Sequence, residues 1–167
     1  MDELTRLSEI EAIRSMKASY WIGVDTKDWD LYSSTLAEDI VIDFRADRAM
    51  ANGLAKADDQ PLDIALREKV EGVTRGRDNV LDAARNVVGR WTTVHQGHAP
   101  SITILDDTRA RGIWPMSDII SDGTRTLNGH GFYHEDYIKR DGRWQIAFMR
   151  LSRLRMDGEY PTSDWAG

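Results

Sequence analysis

Apolar residues return every three or four positions at Leu4, Leu7, Ile10, Ile13, Tyr20 and Val24. That spacing predicts an amphipathic helix with one buried face. Ser8 and Glu11 have capping-box spacing, but the periodic leucines precede them, which places the pair inside the run. The helix is expected to stop in Asp25-Thr26-Lys27-Asp28, where short polar side chains compete for the backbone. Asp28 then caps a short second helix carrying Trp29, Tyr32 and Leu36. Ile40-Val41-Ile42-Asp43-Phe44 is β-branched with an aromatic end and predicts a strand. From Arg45 to Arg75 the period is lost, apart from a helical turn at Pro61 to Lys69. Loops of that length commonly serve as lids. Val80, Leu81, Ala84, Val87 and Val88 mark another helix, from Asp78 to Val88, and Gly89 suits its end.

The second half alternates short strands and turns. The strands are Trp91 to His98, Ser101 to Leu105, Arg109 to Ile120, Gly129 to Lys139 and Trp144 to Leu154. Strands joined this tightly are antiparallel. Helices first and a meander afterwards predict an α+β fold, its N-terminal helices packed on a curved antiparallel sheet around a pocket. No repeat or linker interrupts the chain, which reads as one domain over 1–167 with a lid or mobile segment at 45–75.

Composition narrows the class. Apolar residues make up 41% and charged residues 30% of the chain, the balance of a soluble globular protein. No apolar run reaches the roughly 20 residues of a membrane helix. The start, Met1-Asp2-Glu3-Leu4, lacks the features of a signal peptide, so the cytoplasm is the expected location. With no cysteine, disulfides and thiolate chemistry are excluded. A net charge of -6 opposes a phosphate backbone. The basic cluster Arg150 to Arg155 reads as a solvated strand end, and neither nucleic acid nor membrane is an expected partner.

Histidine is scarce, with only His95, His98, His130 and His134. On a regular strand His95 shares a face with Trp91 and Thr93, while His98 points the other way. A neutral histidine among apolar residues serves as a base when another group fixes its tautomer. Asp25, at the end of the buried helix stripe, is the carboxylate best placed to do so, since a poorly solvated acid needs a partner. The plainer alternative is a satisfied core histidine and a helix-end turn residue. Tyr20, Tyr133 and Arg153 are further candidates, able together to supply donors where charge develops. Paired histidines suggest a metal, but His95 and His98 fall on opposite faces and His130 with His134 gives only two ligands. No metal or other cofactor is expected.

The segments Tyr20 to Trp29, Thr93 to Pro100 and Asp141 to Trp144, followed by Arg153, resemble the SnoaL-like branch of the nuclear transport factor 2-like superfamily. Similarity runs from about Ser8 to Arg155. It implies the cystatin-like cone of that superfamily. Within the branch the pattern is closest to the bile-acid dehydratases, whose catalytic tyrosine, aspartate, histidine and arginine fall on Tyr20, Asp25, His95 and Arg153. Scytalone dehydratase and hexachlorocyclohexane dehydrochlorinase place their aspartate and histidine on Asp25 and His95. Val24 and Phe44 stand where scytalone dehydratase has pocket tyrosines, and Asp118 where it has a second histidine, which argues against scytalone itself.

The resemblance implies a cofactor-free lyase acting on a small apolar alicyclic or aromatic-derived molecule. In that reading His95 removes a proton next to a carbonyl and Asp25 orients it. Tyr20 donates to the leaving group or enolate oxygen, and Arg153 stabilises negative charge. Tyr133, Trp114, His98, Phe44 and Asp118 are the expected substrate contacts. The same fold also hosts isomerases, polyketide cyclases and the small subunits of ring-hydroxylating dioxygenases. A sheet covered on one side only predicts a homo-oligomer, and the resemblance implies a trimer or dimer.

Overall fold

In the computed structural model, which describes residues 1–47 and 71–161, the first helix starts one residue earlier than its apolar pattern. Asp2 is the cap, accepting a hydrogen bond from the Thr5 N–H at 2.9 Å. This helix, α1, spans Glu3–Thr26, so Ser8 and Glu11 are interior. Its buried stripe is Ile13, Lys17, Tyr20, Gly23 and Val24. Leu4 and Leu7 stay exposed, contrary to the expected stripe. The reason lies at Glu9, whose carboxylate accepts from Lys139 Nζ at 2.7 Å and Trp144 Nε1 at 2.6 Å. The two leucines precede that first tie to the sheet.

Asp28 caps α2 (Trp29–Ser34) by accepting from the Leu31 N–H at 3.0 Å. Leu36, expected on that helix, instead opens β1 (Leu36–Asp43). Within the described part of the expected lid lies a short strand, β2 (Val73–Arg75), which α3 (Arg77–Val87) follows. The helical turn expected at 61–69 lies outside the described residues. The strands of the second half are β3 (Thr92–Gly97), β4 (Ser101–Ile104), β5 (Arg109–Ser121), β6 (Thr126–Arg140) and β7 (Arg143–Gly158).

The sheet is open, with strand order β2-β1-β7-β6-β5-β3, and β4 also pairs with β5. It is mixed rather than wholly antiparallel, because β1 lies parallel to β7. A parallel pair needs a long connection, and here the connection is most of the chain. The β6–β7 turn carries positive φ at Asp141 (50°) and Gly142 (75°), as a two-residue hairpin turn requires.

On β5 the burial alternates strictly: Trp114, Met116, Asp118 and Ile120 are inside, while Ile113 and Ile119 are exposed outside. The helices cover the inner face. The core there joins Ile13, Tyr20 and Val24 of α1 to Ile40, Ile42, Ile146 and Met149 of the sheet. This is the α+β fold expected from the element order and the cone that the resemblance implied, and it is similar to a solved structure with a cystatin-like fold. No helix of the described residues is long and apolar enough to cross a membrane.

Candidate active site

Between the helices and the inner face lies a cavity of about 1200 Å³. Its apolar wall includes Val24, Ile42, Phe44, Val80, Val87, Val88, Ile120 and Leu151. Polar groups converge on it from five elements: Tyr20, His95, Asp118, Tyr133 and Arg153 all line it.

Strand alternation puts Trp91, Thr93 and His95 on the inner side of the sheet, and the last turn of α1 brings Asp25 against them. The two meet closely. His95 Nδ1 lies 2.6 Å from Asp25 Oδ1. The His95 backbone N–H donates to Oδ2 at 2.7 Å, and the Thr93 hydroxyl donates to Oδ1 at 2.8 Å. Burial works against the charged carboxylate, but the hydrogen bonds and charge of His95, with the Thr93 bond, prevail and hold its pKa below the ordinary value. An ionised carboxylate only accepts, so Nδ1 carries the proton and Nε2 is left toward the cavity.

Arg153 anchors a second cluster. Its Nη1 and Nη2 donate to the two oxygens of Asp118 at 2.5 and 2.7 Å, and its Nε donates to Asp47 at 2.6 Å. Tyr160 donates to the other Asp47 oxygen at 3.1 Å. A bulge in β7, where Leu154 has no partner on β6, separates the inward Arg153 from the exposed strand end. Gly129, opposite Asp118 on β6, leaves the room this pair needs. A Cβ there would meet Arg153 Nη1 and Asp118 Oδ1. Three of the guanidinium's five N–H donors are thus already held by carboxylates. Asp118 sits directly across from His95 on the neighbouring strand, with both oxygens turned to Arg153.

The phenols are kept neutral. Burial pushes the Tyr20 and Tyr133 hydroxyls well above their ordinary pKa, and Tyr32 is pushed up to about 12 by the same cause. The Tyr20 hydroxyl donates to Met149 Sδ at 3.6 Å, a weak acceptor that a stronger one could replace.

Of the residues named from sequence, Asp25, His95, Tyr20, Arg153, Tyr133, Phe44 and Asp118 are brought to one place. Trp114 and His98 are not. Trp114 faces inward, but Trp21 packs edge-on against it and its Nε1 donates to Tyr137, so it is core beneath α1. His98 lies beyond the end of β3 and is exposed. Sequence reasoning missed Thr93, Lys27, Asp47 and Tyr160. For Thr93 a signal existed, its place two residues before His95 on the same face. Among the described residues no group of three histidine or acidic side chains is arranged to hold a metal.

An α+β cone with a histidine–aspartate pair in its cavity defines the class, and comparison with known proteins supplies the family. The chain belongs to the SnoaL-like domain family, whose model matches residues 5–150. Its fold is similar to that of hexachlorocyclohexane dehydrochlorinase LinA type 2, with a TM-score of 0.73 at 18% identity over 96% of this chain and 95% of that one. A protein from Novosphingobium aromaticivorans assigned as a scytalone dehydratase gives 0.72 at 18% identity, over 95% and 92%. One from the same organism assigned as an aromatic ring hydroxylase gives 0.70 at 17% identity, over 91% and 94%.

Proposed function

We propose that the protein is a cofactor-free lyase, a dehydratase that expels a group next to a carbonyl on a small apolar alicyclic or aromatic-derived substrate. The observation that carries this reading is the Asp25–His95 pair, with Nδ1 engaged at 2.6 Å and the ring set in the cavity wall. Nε2 takes the proton from the carbon beside the carbonyl, and the C–H electrons become the new double bond. The neighbouring C–O bond breaks, and the proton held on Nε2 passes to the departing hydroxyl so that water leaves. Asp25 stabilises the transient imidazolium. Tyr20 and Tyr133, neutral phenols on the cavity wall, supply hydrogen bonds to the carbonyl oxygen as charge builds there. Arg153, its charge matched by Asp118 and Asp47, keeps two of its five N–H donors for a substrate oxygen. The fold likeness to a dehydrochlorinase and to a protein assigned as a dehydratase supports a lyase.

A panel of alicyclic and aromatic-derived β-hydroxy ketones in D2O tests this. Loss of water from any of them, abolished by His95→Gln, is the expected result. Deuterium exchange beside the carbonyl without elimination would favour an isomerase or cyclase using the same base. Binding with neither exchange nor elimination would overturn catalysis and leave an accessory or binding subunit.

The outer sheet face exposes Val94, Ile113 and Ile119 to between 39 and 44%. Burial of that face between copies of this chain is the proposed assembly, as a trimer or dimer. Light scattering at micromolar concentration is expected to give a multiple of 19.0 kDa, and a monomer would refute it.

A further inference from the structure

The dyad carboxylate is also gripped by groups that do not line the cavity. Thr93 is buried and its hydroxyl makes two contacts, 2.8 Å to Asp25 Oδ1 and 2.8 Å to Lys27 Nζ. A protonated lysine only donates and a carboxylate only accepts. The one hydroxyl proton therefore points at Asp25, and the oxygen accepts from Lys27. The chain runs in one direction: Lys27 to Thr93, Thr93 to Asp25, with His95 Nδ1–H donating to the same oxygen at 2.6 Å.

Lys27 itself has an unusual backbone. It ends α1 in the left-handed region, φ 63° and ψ 24°, where glycine or asparagine is the usual occupant and other residues are strained. A plain helix cap would explain its bond to the Val24 carbonyl at 3.0 Å. It does not explain the second bond, across to β3. Strain of this kind collects at functional sites. The left-handed turn is what brings the lysine back over Thr93. Burial lowers the Lys27 pKa below its ordinary value, and the charge of Asp25 opposes that fall. Both oxygens of Asp118 are already engaged by Arg153.

We infer that Thr93 and Lys27 are positioning residues for the Asp25–His95 pair, a one-way hydrogen-bond chain that fixes which ring nitrogen carries the proton and leaves Nε2 bare. The consequence for turnover rests on His95 being the base. The chain itself is testable without any substrate.

The test uses the full chain labelled with ¹⁵N-histidine and no added ligand. Only four histidines contribute, and the His95 signals are those lost in His95→Gln. The unsubstituted protein is expected to show a protonated Nδ1 and a bare Nε2. Thr93→Val cuts the chain, so the His95 signals move toward a mixture of tautomers, and Thr93→Ser restores them. Lys27→Gly is expected to move the same signals while the melting temperature holds or rises, because glycine relieves the left-handed position. A role confined to stability would lower the melting temperature and leave the tautomer alone. Once a substrate is known, Thr93→Val lowers kcat about tenfold with KM unchanged, the effect of one charge-assisted hydrogen bond. His95 signals in Thr93→Val and Lys27→Gly that overlay those of the unsubstituted protein would overturn the chain. Absence of turnover on every ketone, with the spectra behaving as expected, would overturn the lyase reading and not the chain.

Discussion

His95→Gln is expected to fold normally, keep its cavity and lose at least about 100-fold in turnover, the lower end of what a positioned general base contributes. Glutamine retains an amide donor for Asp25 but offers no basic nitrogen to the cavity. Asp25→Asn is expected to be damaging for a different reason. In the native pair Oδ1 receives both Nδ1–H and the Thr93 hydroxyl, while Oδ2 receives the His95 backbone N–H. An asparagine amide group must turn its NH₂ toward one of these donors. Facing Nδ1, it would favour the tautomer with the proton on Nε2, and it cannot stabilise an imidazolium. The double variant is expected to be little worse than His95→Gln alone, since residues acting as one unit fail together. Stability carries a separate signature. The Asp25 carboxyl is held below the ordinary aspartate value, so its contribution is present above that value and is lost as pH falls through the lower folded-state value. Asp25→Asn removes that acid-side dependence. A double-mutant cycle on turnover, with melting followed from neutral to acid pH, measures both. Full activity in a well-folded His95→Gln protein would end the lyase reading.

How far the sequence led is best judged residue by residue. Strand alternation placed His95 and Thr93 on the inner face, and the helix stripe ended at Val24 beside Asp25, so both halves of the pair were legible. Alternation on β5 also turns Trp114 inward. It says which face a side chain takes and nothing of what lies above it, and Trp21 of α1 lies above Trp114. The parallel pairing of β1 with β7 was hidden because turn signals report only neighbours in sequence. Asp47 reaches Arg153 across 106 positions, a contact no local pattern encodes. Lys27 was passed over as one polar residue in a helix stop, because its reach depends on a φ that only the folded turn reveals. Lys17 is the instructive miss. It falls on the helical phase of Ile13, Tyr20 and Val24, yet lysine is almost never fully buried without a partner, and the partner, Glu135, stands on a distant strand.

That partnership predicts the largest loss of stability in the molecule. Lys17 Nζ lies 2.5 Å from Glu135 Oε1, with both side chains wholly removed from solvent. The other Glu135 oxygen accepts from Tyr137 at 2.6 Å, whose hydroxyl accepts from Trp114 Nε1 at 2.6 Å. The ammonium also lies 3.8 Å from the ring centre of Tyr20 and 4.3 Å from that of Tyr133, so it forms a charged floor beneath two cavity residues. Burial drives the lysine toward the neutral form, and Glu135 opposes that. Lys17→Met keeps most of the volume and leaves Glu135 in the core with no cation. An uncompensated buried charge costs about 3–5 kcal/mol, a fall in Tm on the order of 10 °C for a chain of this size. Adding Glu135→Gln removes the stranded charge, so the double variant is expected to recover much of the loss, as neighbouring sites that share one interaction do. Its Tyr20 and Tyr133 rings still lack the cation beneath them, so ligand affinity is expected to stay weakened after stability returns. Thermal melts of the two single variants and the double, with ligand titrations alongside, separate the two effects. Lys17→Met melting within a few degrees of the unsubstituted protein would show that this ion pair does not stabilise the core.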